Sequence, residues 1–187
     1  MMEYRKFSLK LYAADSEQLQ PAKAVPVFHD FISQGTLGEL MIDVVDYQHV
    51  HQGPGVVLIG HATDYAFDLG EGRPGLCCSR KREHVAREER PRDLLRRTLH
   101  AAAALEARPE LGVRFRTDEL LFTVLDGLAQ DDDSNVLAQT AHAWSGLLAQ
   151  VLGTEPSVSR EGEPGQPTRL RMRLAQAASV GEALRSA

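Results

Sequence analysis

The chain has 187 residues, 43% of them apolar and 25% charged, and carries a net charge of −5. That length suits one domain whose core needs no disulfide or metal, and the acidic balance argues against nucleic acid as a partner. No apolar run approaches the roughly 18 residues of a membrane span, so no membrane contact is expected.

Phe7 to Tyr12 alternates apolar and polar residues with period two and predicts a strand. No leader-type apolar stretch precedes it. Residues 22–34 predict a helix with Phe28 and Ile32 stacked at i,i+4, Pro26 in its first turn and Gly35 as its stop. Residues 40–47 are apolar on both parities, the pattern of a central strand covered on two faces. Gly53-Pro54-Gly55 reverses the chain, and residues 56–67 return as one strand. After a glycine-rich turn at 69–75, Leu76 to Arg80 forms the third member of an antiparallel meander, because connections this short cannot cross over.

Adjacent Cys77 and Cys78 point to opposite faces of that strand. They suit free thiols in a reducing, cytoplasmic setting. Residues 80–97 hold eight basic residues interleaved with Glu83, Glu88, Glu89 and Asp93, which reads as a solvated, ion-paired surface. Pro91 then opens a helix over 91–107 with an apolar stripe at Leu94, Leu95, Thr98, Leu99, Ala102 and Leu105. Residues 113–128 predict a strand or a bent strand pair, with Thr117-Asp118 as a kink or turn. Asp131 to Ser134 offers cap chemistry to a helix over 135–152, with Trp144 and Leu148 on its buried side. Ser157 to Arg160 and Arg169 to Leu174 close the fold as a hairpin. The order implies α+β over 1–174, a mixed and mainly antiparallel sheet with about three helices, and a flexible tail at 175–187. The expected core is Phe28, Ile42, Val44, Val57, Ile59, Leu95, Leu99, Leu120, Phe122, Trp144 and Leu148.

Chemistry-bearing residues concentrate between Asp46 and Tyr65. His61 shares parity with Val57 and Ile59, so it should stand on a core strand beside Asp43 or Asp46. That pairing suits a general base tuned by a carboxylate, and His61 and Asp46 are the expected catalytic pair. Gly60 would let a ligand approach the sheet. His29, Arg73 and Arg80 complete an expected small-molecule site, the arginines answering an anionic group. A buried histidine satisfied by backbone or by an aspartate is the bland reading of the same residues. His49-Val50-His51 sets two imidazoles on one strand face and resembles the HxH of cupins and amidohydrolases. No HxxxE follows at cupin spacing. A third ligand from His61 would lie roughly 16 Å from His49 along the strand, so a metal at His49 and His51 is the weaker expectation. A Cys–His nucleophile is likewise disfavoured, because Cys77 should pair near Phe67 and away from His61.

The run from Asp43 through Arg82 resembles the central segment of a family of soluble bacterial proteins to which no reaction is assigned. The resemblance carries over no catalytic residues, and the sequence leaves any cofactor unknown. Two function classes therefore compete. One is binding, or hydrolytic-type chemistry, of a small ligand at the His61/Asp46 site, with Arg73 or Arg80 available to an anionic group. The other is a non-catalytic subunit that binds a partner or a second copy of itself, since three helices cannot cover both faces of so wide a sheet.

Overall fold

The computed structural model describes residues 5–15, 20–82, 85–126, 134–162 and 167–187. The elements run β1 (Phe7–Ala13), α1 (Ala24–Gln34), β2 (Met41–Tyr47), β3 (Gly55–Gly60), β4 (Thr63–Asp68), β5 (Gly75–Arg80), α2 (Arg90–Glu106), β6 (Phe115–Val124), α3 (Ser134–Leu152), β7 (Ser157–Glu161), β8 (Arg169–Arg173) and α4 (Val180–Ser186). The strands form one sheet in the order β2-β3-β4-β5-β1-β6-β8-β7. Among the described residues every pairing is antiparallel, so the fold is α+β on an antiparallel sheet, with four helices rather than about three.

Alternation along the strands sorts the two faces. Leu9 and Leu11 of β1 align with Cys78 and Leu76 of β5 and with Phe122 and Leu120 of β6. All six are buried, and the helices seal this face. α1 lies over β2 and β3, α2 lies over β1 and β5, and α3 and α4 flank α2. Trp144 of α3 packs on Phe122 with ring centroids 5.4 Å apart, and Phe122 in turn meets Phe7 at 5.5 Å. Each such aromatic contributes roughly 2–3 kcal/mol by removal from water. α1 ends where Gly35 takes φ 63°, and Pro26 sits in its first turn, as the sequence predicts. The kink expected at Thr117-Asp118 falls where the β1–β6 register breaks, between Leu11 and Ala13.

Four expectations change. First, residues 56–67 are not one strand: His61 and Ala62 turn the chain between β3 and β4. Gly60 makes the turn feasible, because a Cβ there would lie 2.2 Å from the Thr63 carbonyl oxygen. Second, β2 is an edge strand, with Ile42 at a register irregularity and 56% exposed rather than in the core. Third, the helix-facing residues of β3 are Val56 and Leu58, while Val57 and Ile59 face the other side and are half-buried. Fourth, the expected tail holds α4. Its capping box joins Ser179 to Glu182, and Val180 and Ala183 are buried beside α2 and α3. The cap chemistry assigned to Asp131–Asp133 lies outside the described residues.

Candidate functional site

The structure disperses the residues expected to form one site. Asp46 pairs across from Val56, at the far end of β3 from Gly60 and His61. Four strand steps, about 13 Å, separate the two ends. His61 is exposed in the β3–β4 turn, and its ring neighbour is Arg82, with Nη1 3.3 Å from Nε2. The Asp46 carboxylate accepts the backbone N–H of Gln48 at 2.9 Å and closes the start of the next turn. His29 is exposed on α1. His49 and His51 stand in the exposed 48–52 turn, not on a strand, so the alternation that would align their rings does not operate. Among the described residues no cluster of three His, Cys, Asp or Glu side chains could hold a metal ion. Cys77 pairs with Ala66, one residue from the expected Phe67, and burial pushes its thiol up to about 11.

The two expected ligand arginines are both engaged, on opposite faces of the sheet. Arg80 is 1% exposed on the helix side, where its Nη1 donates to Asp93 at 3.0 Å. Arg97 donates to the same carboxylate through Nε at 3.0 Å and to Glu39 at 3.1 Å, and the Tyr65 hydroxyl donates to Glu39 at 2.7 Å. Burial lowers the Arg80 pKa, with Asp93 opposing that shift. Among the described residues, the Nε and Nη2 atoms of Arg80 and the Oγ1 atom of Thr63, its partner across the strands, find no hydrogen-bond partner. This chain of charges ties β4 and β5 to α2.

Arg73 belongs to a second network, on the helix-free face. Its guanidinium lies 3.8 Å from the centre of the Tyr12 ring and grips Glu119 with two bonds of 2.9 and 2.8 Å. Arg171 donates to Glu119 at 2.6 Å, to the Tyr12 hydroxyl at 3.0 Å and to Glu161 at 2.6 Å. Hydrogen bonds from Arg73, reinforced by Arg171 against the cost of burial, hold Glu119 down at about 2. Burial raises the Tyr12 phenol. The β4–β5 connection leans over this network: Lys10 bonds Asp68 and the Gly70 carbonyl, and Glu71 reaches Arg169. Sequence reasoning missed Tyr12, Glu119 and Arg171. The signal was present in the alternation of Ser8-Leu9-Lys10-Leu11-Tyr12 and Arg169-Leu170-Arg171-Met172-Arg173, which sets every polar residue on one face.

Next to that network the helix-free face turns apolar. Val45, Val57, Ala66 and Cys77 form one row across β2, β3, β4 and β5, and Val45, Val57 and Cys77 are only half-buried. The row runs out at the β2 edge. Just beyond it, Leu40 is 68% exposed, Ile42 56%, Val50 42% and Tyr47 38%. At the other edge β7 carries Ser157, Ser159, Arg160 and Glu161. Comparison with protein-family models and with characterised proteins finds no match for the chain.

Proposed function

We propose that this protein works by association with another polypeptide, as a non-catalytic subunit, and that the β2 edge is its contact. The observation that carries the reading is the placement of exposed apolar area. Of the five large hydrophobic side chains exposed among the described residues, Leu40, Ile42, Tyr47 and Val50 lie on β2 or within three residues of its ends. Burial in water-free contact is what such side chains gain from a partner. An edge strand also presents unpaired amides and carbonyls, a template for strand addition. Proteins blunt such edges with lysine, proline or dense charge. β7 carries adjacent Arg160 and Glu161, whereas β2 has no basic residue and no proline, only Asp43 and Asp46.

The competing reading, small-molecule chemistry at His61, requires a carboxylate beside that imidazole, and the neighbour observed is Arg82. A photoreactive amino acid placed at Val45 in living cells tests the association reading, with Ser159 on β7 as control. A covalent protein adduct should form from position 45 and not from 159. No adduct from position 45 would overturn the proposal.

A further inference from the structure

We infer that the occupant of the β2 edge is β2 of a second copy, paired antiparallel about a two-fold axis through Val45. This rests on the association reading above and names its partner. The backbone limits the register to axes that pass through a residue, and the axis at Asp46 among them would set two carboxylates against each other. Val44 N–H donates to the Asp43 side chain at 2.8 Å instead of to β3. Val44, and Asp46 by strand alternation, therefore direct their main-chain groups off the sheet, while Val45 is bonded inward opposite Val57. In an antiparallel ladder outward-facing residues must meet outward-facing ones. Axes midway between two residues break that rule, and the one between Val44 and Val45 would also set Asp43 against Asp46 of the partner subunit. An axis at Val44 draws the irregular Ile42 into the ladder.

The axis at Val45 meets none of these obstacles. Val44 exchanges main-chain bonds with Asp46 of the partner subunit, and the symmetry repeats them. Val45 meets Val45 of the partner subunit as the close, non-bonded pair, with Cα atoms about 4.5 Å apart. Asp43 comes opposite Tyr47 of the partner subunit. On the helix-free face the Cys77-Ala66-Val57-Val45 row then continues without interruption into its symmetry mate. The contact is isologous, so it closes as a dimer, and the charged β7 edges stay at the two ends of the joined sheet. Forming it requires the Asp43 carboxylate to release the Val44 amide, so Asp43 restrains the edge against indiscriminate pairing.

Light scattering on the eluting full-length chain, with cysteine cross-linking in a Cys77→Ser background, tests the register. The wild type should run as a dimer at tens of micromolar. Val44→Pro removes only an amide that points off the sheet, which an edge strand tolerates, and should weaken dimerisation at least tenfold. Val45→Lys, which sets two ammonium groups together at the axis, should do the same and stands in if the proline variant fails to fold. Oxidation should link Val45→Cys chains in pairs and leave Val44→Cys chains unlinked, because diagonal neighbours at about 7–8 Å exceed the span of a disulfide. Added salt should tighten the dimer, since each copy brings two carboxylates and no base on β2. A wild type that stays monomeric at several hundred micromolar overturns the inference, as does a dimer indifferent to both variants or linked through Val44→Cys. If that monomer still gives a heavier adduct from position 45 in cells, self-pairing fails and association with a different protein stands. If it gives none, both fail.

Discussion

Glu119→Gln isolates what the helix-free network contributes. Glu119 is 6% exposed and takes three bonds of 2.6–2.9 Å from Arg73 and Arg171. Its pKa falls from 4.5 to about 2, chiefly through the Arg73 hydrogen bonds. A carboxylate depressed on folding adds stability that is present above its unfolded pKa and lost as the pH drops through its folded one. The full depression corresponds to about 3 kcal/mol. Arg73 is 38% exposed, so solvent screens its share, and roughly 2 kcal/mol is the expected loss on substitution. Arg171 keeps Glu161 as a partner in the variant, and Arg73, left over the Tyr12 ring, is exposed enough for water to solvate its charge. Urea unfolding followed through the single tryptophan, Trp144, reads both chains at a series of pH values. The variant should be less stable by about 2 kcal/mol at pH 7 and at pH 5, and the two curves should converge between pH 4.5 and 2. A gap below about 0.5 kcal/mol at neutral pH, within the range of an ordinary surface change, would refute this account of the network. So would a gap that persists unchanged into acid.

Gly60→Ala drives a Cβ into the Thr63 carbonyl oxygen and should cost more than about 2 kcal/mol; His61→Ala, next to it but exposed, should cost less than about 0.5 kcal/mol, and equal losses in urea melts would contradict the turn geometry. Cys78 is 0% exposed and burial raises its thiol, so in a Cys77→Ser variant it should not react with a disulfide reagent at pH 8 until the chain unfolds; rapid reaction of the native protein would count against its placement. Ser179→Ala removes the capping box of α4 and should cost about 1 kcal/mol, with faster amide exchange confined to residues 180–186. Exchange as fast in the wild type would mean that α4 does not hold in solution.

The helices and the meander are legible in the sequence because their determinants are local. Pro26 and Gly35 bracket α1, the Leu94-to-Leu105 stripe marks α2, and the short glycine-rich connections at 53–55 and 69–75 permit nothing but antiparallel return. Even α4 had its local signature in Ser179 and Glu182, hidden by the assumption that a short polar terminus frays. The site was another matter. Placing His61 beside Asp46 required the turn at 61–62, which depends on a close approach of Gly60 to Thr63 that no spacing announces. Apolar residues on both parities of 40–47 suggested a central strand, yet they occupy an edge. Composition records which side chains prefer to be dry; strand order, fixed by pairing between β1 and its distant neighbours β5 and β6, decides which of them are. Local chemistry thus set the elements of this chain, and only the long-range pairing of strands decided that its apolar surplus lies at β2 and that its buried charges divide between the α2 side of β5 and the face beneath the β4–β5 connection.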